Sequence, residues 1–193
     1  MKAHRDALTE RMALCGRRGR ALFCLASAER LIGCCWAFQA QSGADLKPFF
    51  FWTQRLFDAL VVDMPANVAL DAALEELEQS ASHTTDGSPL SVQAQAGILC
   101  AMGAIFVLEG HREDGVVTAM NATIDALDNF TFFVNQQVTG ELVSPETYAL
   151  LDRETALQMT HAAFLQDAEN FEASTLTNWR LENRQYSVPI AIG

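Results

Sequence analysis

Three residues of this chain have side chains that could form a polar active site between helices. Glu29 and Arg30 interrupt a long apolar run, and His161 lies in another apolar segment far along the chain. Burying a lone charge is strongly unfavourable, so Glu29, Arg30 or both must have a partner. They either form ion pairs with a neighbouring helix, or they form a buried polar anchor, a group that would hold a substrate at the mouth of a cleft. Together with His161, such an anchor would give a small helical enzyme acting on a cationic or polar substrate.

The position of His161 is also compatible with a purely structural role. It shares a helical stripe with Glu154, but seven residues of helix separate the two by about 10 Å, too far for a direct hydrogen bond. We therefore expect a core or boundary histidine. Helical di-iron sites need Glu-x-x-His, which places both ligands on one helix face, and this motif is absent from the sequence.

A second group of chemically interesting residues surrounds a predicted helix end. Glu109, His111, Glu113 and Asp114 carry oxygen and nitrogen atoms of the kinds that bind metals. Close spacing on a turn does not by itself define coordination geometry. We expect a solvated turn in which Asp114 caps the next helix, and we predict no metal and no cofactor.

Several common catalytic signatures are missing. Lys2 and Lys47 are the only lysines, which excludes a phosphate-binding loop ending in Lys-Ser/Thr. The sequence also has no G-x-S-x-G turn, no H-E-x-x-H and no paired C-x-x-C. The five cysteines are odd in number and lie in apolar contexts, which favours reduced, buried thiols in a cytoplasmic protein: Cys15, Cys24, Cys34, Cys35 and Cys100. We therefore predict no catalytic residue.

Charge is segregated along the chain. Residues 1–30 contain seven of the 13 basic residues and three of the 24 acidic ones, giving +4, while the remainder carries −15 and the whole chain −11. Such a field repels nucleic acid and attracts basic surfaces. Asp71, Glu75 and Glu78 lie on a predicted helix that lacks lysine and arginine. We predict that a basic protein partner is contacted by six carboxylates: Asp71, Glu75, Glu78, Glu109, Glu113 and Asp114.

Apolar residues recur at helical spacing almost throughout, and no convincing strand is found. The sequence predicts an all-α, single-domain antiparallel bundle of six to seven helices spanning residues 1–193. Residues 1–18 form a basic helix or arm, and residues 175–193 a tail with a short helix. The other predicted helices cover about 20–41, 48–60, 70–78, 89–109, 115–137 and 145–173.

Two features of these helices matter for function and location. In the last of them, Leu150, Leu157, Phe164 and Phe171 have the spacing of a core-facing stripe. Charged residues are expected to interrupt every apolar run before the roughly 18 residues needed to span a bilayer. We therefore expect a soluble, cytoplasmic protein that does not enter a membrane.

The segment RALFCLASAERLI, from Arg20 to Ile32, is followed by an aromatic-rich stretch and by a segment from Leu46 to Leu60. This part of the chain resembles the opening of the YjaG-like family, small helical bacterial proteins of unknown function. The family's Glu-Arg-Leu core corresponds to Glu29, Arg30 and Leu31. The resemblance implies an all-helical cytoplasmic domain and no particular reaction.

These observations lead to three functional hypotheses. The first is a non-catalytic binding protein, most concretely a bacterial immunity protein that occupies the active site or substrate groove of a cognate toxin. The second is the small helical enzyme with its site around Glu29, Arg30 and His161. The third is a structural or regulatory homodimer held together by the basic first helix.

Overall fold

Helices make up the described part of the fold. The computed structural model describes residues 2–62, 69–110, 115–125 and 145–188. Within these ranges the chain is all-α and contains no strand. There are nine α-helices, more than the six to seven predicted: α1 (Lys2–Ala13), α2 (Arg17–Arg30), α3 (Ile32–Ser42), α4 (Lys47–Val61), α5 (Leu70–Ser82), α6 (Pro89–Glu109), α7 (115–125), α8 (Pro145–Phe164) and α9 (Ala173–Asn183).

The centre of the bundle is α6, which packs against α2, α3 and α5. Its start and end were predictable from local chemistry. The Ser88 hydroxyl caps the helix by accepting a hydrogen bond from the Ser91 N–H at 3.1 Å, and Pro89 occupies the first turn. The helix ends at Gly110, whose φ of 105° is readily adopted only by glycine.

The expectation that charges interrupt every apolar run is wrong for α6. This helix is 21 residues long and its only charged residue is its last, Glu109. Among the described helices it is long and apolar enough to cross a membrane, and the bent pair α2 and α3 would also pass if taken together. However, 78% of the apolar window of α6 is buried inside the protein. The helix is therefore a core element, consistent with a soluble protein.

The predicted second helix is broken at Leu31. Helices α2 and α3 meet there at an angle of 47°. The Leu31 N–H bonds to the Ala28 carbonyl at 3.0 Å, which tightens the last turn of α2. In a continuous helix the Arg30 carbonyl would accept from the N–H four residues later, but here it accepts from Val188 at 2.9 Å. The break thus fastens the C-terminal segment to the end of α2.

Gly19 lies inside α2, where it allows a second segment to approach closely. A Cβ atom at this position would lie 2.4 Å from the carbonyl oxygen of Leu165. Leu165 begins a 3₁₀ helix, Leu165–Asn170, which packs directly on α2. Glycine is therefore required for close approach of two backbones rather than for chain reversal.

The other helix starts follow the predictions where the structure describes them, but the helix predicted over 145–173 ends at Phe164 and is followed by the 3₁₀ helix. Pro48 lies in the first turn of α4, and the tail contains α9 with a buried Trp179. Helix α1 packs on α8 of the same chain and buries Leu8 and Met12. The predicted sixth helix corresponds to α7 up to residue 125, and the rest of its predicted range lies outside the described residues.

All five cysteines are buried and free, as predicted. Burial raises the pKa of the Cys34 thiol to about 12 and that of Cys15 to about 11. A thiol is a nucleophile only as the thiolate, so these side chains are inert near neutral pH. They serve as small apolar residues of the core.

The crossing of α6 and α7 depends on two glycines, which provides a test of the fold. A Cβ atom on Gly103 would lie 2.6 Å from the Gly115 carbonyl oxygen. We expect Gly103→Ala to lower the free energy of unfolding by about 1–3 kcal/mol, because the backbone cannot give way easily. Alanine favours a helix over glycine by about 1 kcal/mol, so the clash must exceed that gain.

Urea denaturation measures this loss of stability. Gly97→Ala, on the same helix, is the matched control. The Cβ of this variant would lie 3.0 Å from the Cys35 sulfur, a side-chain atom that can shift, so the loss should be smaller. A Gly103→Ala protein as stable as wild type would contradict the packing of α6 on α7.

Candidate functional site

A layer of buried charged and polar side chains joins α2, α8 and α9. Its first half is centred on Arg30, whose side chain is fully buried. Arg30 Nη2 donates to Glu154 Oε1 at 2.7 Å and Arg30 Nη1 donates to Asn183 Oδ1 at 3.0 Å. Glu154 Oε1 also accepts from the Gln158 amide at 2.9 Å. A buried charge pair with supporting hydrogen bonds of this kind is stable only while it is complete.

The second half of the layer is centred on Glu29. One oxygen of this buried carboxylate, Oε1, accepts from Arg180 Nε at 2.6 Å and from Arg184 Nη2 at 2.9 Å. Arg180 also lies over the Phe57 ring, with 4.1 Å between its guanidinium carbon and the ring centroid. It further contacts Asp58 Oδ1 at 3.2 Å. Glu29 and Arg30 are therefore both paired, and each is paired to a different helix.

The buried face of α8 is polar, which corrects the predicted apolar stripe. Leu150, Leu157, Phe164 and Phe171 are only half-buried. The fully buried residues of the helix include Glu154, Gln158 and His161 instead. The physical reason is the buried layer of charged side chains. Arg30 and Glu154 pair within it, and an apolar stripe on α8 would leave Arg30 without this partner.

His161 occupies the same stripe but takes no part in the ion pairs. Its side chain is 5% exposed and meets the Trp179 ring edge-on, with 5.0 Å between ring centroids. Its Nδ1 atom is buried and has no hydrogen-bond partner among the described residues. Burial, reinforced by the nearby charge of Arg30, lowers its pKa from 6.5 to about 3. The imidazole is therefore neutral at physiological pH.

A cavity of about 410 Å³ opens between α8 and α9 beside this histidine. It is lined by His161 but not by Glu29 or Arg30, so this cavity does not bring together the three residues of the enzyme hypothesis. Glu182 is the only other lining residue with an ionisable side chain near neutral pH. The two arginines closest in sequence to it, Arg180 and Arg184, are bound to Glu29.

The predicted partner-binding carboxylates form a surface stripe on α5. Asp71, Glu75 and Glu78 are exposed and lie at positions i, i+4 and i+7, on one face of the helix. We call these three residues the acidic stripe. None of them is within salt-bridge distance of a basic group in the described part of the chain, and α5 itself has no lysine or arginine.

The other three predicted contact residues are not part of this stripe. Glu109 is exposed at the end of α6. Helices α5 and α6 pack against each other and are joined by a short loop, and Glu109 lies at the end of α6 that is farthest from this loop. Glu113 and Asp114, like His111, lie outside the described residues. Among the residues that are described, no group of three candidate ligands could hold a metal.

Four aromatic rings of α3 and α4, two of them exposed, form a group that the sequence analysis did not identify as a site. Trp36 stacks on Phe50 with 4.2 Å between ring centroids, and Phe51 contacts Trp52 at 4.9 Å. We call these four rings the aromatic row. Trp36 is 54% exposed and Phe51 is 58% exposed. Trp52 donates from its indole nitrogen to Glu76 of α5 at 2.7 Å, which joins the row to the helix of the stripe.

Comparison with solved structures finds a likeness to the crystal structure of a DUF416 family protein from Shewanella baltica. The two chains superpose with a TM-score of 0.73 over 96% of each chain, at 15% sequence identity. At this identity the likeness shows a shared helical fold and nothing about activity. It agrees with the expectation of a small helical protein from a family of unknown function. No family model and no curated protein sequence matches the chain.

The buried neutral state of His161 predicts a pH dependence of stability. The unfolded imidazole binds a proton below pH 6.5, whereas the folded one stays neutral down to about pH 3. Stability is therefore lost as the pH falls through this window, by about 2–3 kcal/mol at about pH 4.5. We expect the free energy of unfolding, measured by urea denaturation, to fall less for His161→Phe than for wild type between about pH 7.5 and 4.5.

The exposed His83 is the matched control for this measurement. His83→Gln should leave the pH dependence of the unfolding free energy as in wild type. If the His161→Phe and wild-type proteins lose equal stability over the same interval, His161 is not held neutral by the fold.

Proposed function

We propose that this protein is a non-catalytic binding protein that recognises a basic protein surface. We assign the partner's contacts to the acidic stripe on α5 and to the aromatic row on α3 and α4. In its most concrete form, the proposal is a bacterial immunity protein that occupies the active site or substrate groove of a cognate toxin. The observation that carries it is a set of exposed carboxylates with no counter-ion among the described residues, on a helix that Trp52 of the aromatic row binds through Glu76.

Electrostatics supports a cationic partner. Asp71 and Glu75 are separated by one helical turn, so their mutual repulsion weakens the helix slightly and is relieved when a positive group approaches. The net charge of −11 adds a long-range attraction for basic surfaces. Such attraction raises association rates by roughly 10- to 1,000-fold and weakens as salt is added.

The aromatic row supplies what the charges lack, namely apolar area that is buried on contact. Tryptophan and other large aromatic residues are enriched among the few residues that dominate binding energy at protein interfaces. Trp36 and Phe51 have more than half of their surface exposed. Because Trp36 rests on Phe50, it would be presented to a partner in a fixed orientation.

The buried layer favours binding over catalysis. Glu29 and Arg30 are engaged in ion pairs that hold helices together, and neither lines the cavity beside His161. A proton-transfer role would require these groups to be free to exchange protons with a substrate. Reduced buried cysteines agree with a cytoplasmic location, which we propose on that ground. Kinship with the YjaG-like family is likewise proposed, on the segment 20–32.

The direct test is growth of cells that co-express this chain with the secreted toxin encoded by a gene next to its own. Rescue of growth by wild type, with formation of a purified complex, is the expected result. If a toxic neighbour is not neutralised, or if neither flanking gene product binds, the immunity proposal is overturned.

Kinetics of the same complex tests the acidic stripe. We expect the triple variant Asp71→Asn, Glu75→Gln, Glu78→Gln to associate at least about 10-fold more slowly at low ionic strength, because steering is lost. Its association rate should also depend less on salt. Surface plasmon resonance over a range of salt concentrations measures both quantities.

A control with the same change in net charge is available elsewhere. Asp152, Asp167 and Glu172 are exposed and lie outside α5. Neutralising these three side chains should slow association much less. Equal slowing by the two triple variants would show that total charge, and not the stripe, attracts the partner.

The aromatic row should act on dissociation rather than association. Replacing Trp36 and Phe51 by serine should weaken binding by at least about 30-fold, mostly through faster dissociation, because buried apolar area is lost. Leu181→Ser is the control, since Leu181 is also exposed but lies on α9. Unchanged dissociation of the Trp36→Ser, Phe51→Ser protein, with circular dichroism as in wild type, would exclude the row from the interface.

A further inference from the structure

The cavity between α8 and α9 has the properties of a small-molecule site that is independent of the proposed interface. Its volume of about 410 Å³ lies in the range typical of ligand pockets. It is bounded by Leu157, Thr160, His161 and Phe164 from α8, and mainly by α9 on the other side. Neither the acidic stripe nor the aromatic row contributes to it.

One wall of the cavity is aromatic. Trp179 and Phe164 are stacked with 5.5 Å between ring centroids, and both line the cavity. Planar apolar groups pack well against such a wall. Aromatic faces also attract cations, and tryptophan does so most strongly.

The charge of the cavity selects the sign of the ligand. Glu182 lines it and forms no ion pair within the described residues, whereas no lysine or arginine lines it. The imidazole of His161 is neutral because burial lowers its pKa to about 3. The cavity is therefore anionic at neutral pH and disfavours carboxylates and phosphates.

We propose that this cavity binds a small aromatic amine, with the ring against Trp179 and Phe164 and the ammonium group balanced by Glu182. This site would give the protein a ligand-binding activity in addition to recognition of a protein partner.

Three probes that share a phenol ring but differ in charge test the proposal by calorimetry with the full-length protein. Tyramine is a cation, 4-ethylphenol is neutral and 4-hydroxyphenylpropionate is an anion. We expect saturable binding of tyramine, at least 10-fold weaker binding of 4-ethylphenol, and the weakest binding for the anion.

Two variants locate the site. Glu182→Gln should weaken tyramine binding by about 10-fold while leaving 4-ethylphenol unchanged, because it removes charge and little volume. Asn178 is exposed on α9 and lines the cavity, so Asn178→Trp should fill it and abolish binding. Thr177→Trp, at an exposed neighbouring position that does not line the cavity, is the control and should bind tyramine normally.

Circular dichroism verifies that each variant is folded. Glu182 forms no ion pair within the described residues, so Glu182→Gln breaks none of the ion pairs described above. Absence of saturable tyramine binding up to about 10 mM overturns the proposal. So does binding of the anion as tight as that of tyramine, or unchanged binding by Asn178→Trp. None of these outcomes bears on the acidic stripe, so the proposal fails or stands separately from the proposed function.

Discussion

Two adjacent residues of opposite charge at the end of α2 organise this fold. Glu29 is bound by Arg180 of α9, while Arg30 is bound by Glu154 of α8. Both pairs are shielded from water, so neither partner could be left unsatisfied without a large loss of stability. The positions of α8 and α9 around α2 are therefore linked. The break at Leu31 belongs to the same arrangement, since it frees the Arg30 carbonyl to bind Val188.

This arrangement separates the charges into two populations with different roles. The pairs Arg30–Glu154 and Arg180–Glu29 are each neutral overall, so they contribute little to the external field. The carboxylates of the acidic stripe are exposed and contribute to that field directly. The cavity beside His161 adjoins the buried layer but draws its charge from Glu182 alone. Binding is the function that we propose for the acidic stripe and for the cavity.

The sequence predicted those features that depend on local chemistry. Pro48, Ser88 and Gly110 define helix ends through backbone geometry and capping, and the structure has helix ends at these positions. The need for partners at Glu29 and Arg30 followed from burial in an apolar helix. The identity of those partners did not follow, because Glu154 and Arg180 are more than 120 positions away in the chain.

Features that depend on contacts between distant segments were missed. The close approach of Gly19 to Leu165 has no signal in the local sequence. The polar stripe of α8 was missed because apolar spacing favoured Leu150 and Leu157, which are half-buried. The aromatic row combines residues from α3 and α4. The cluster FFFW in α4 was a visible signal, but only packing decides which of these rings stay exposed.

The buried charges of the layer are structural pairs. A double-mutant cycle on Arg30 and Glu154 tests this directly, because it measures the coupling energy between the two side chains. Urea unfolding of Arg30→Met, of Glu154→Leu and of the double variant gives the coupling energy. We predict that each single change destabilises the protein by about 3–5 kcal/mol, and that the double variant loses much less than the sum, with a coupling above about 2 kcal/mol. Additive losses, within about 0.5 kcal/mol, would contradict the claim.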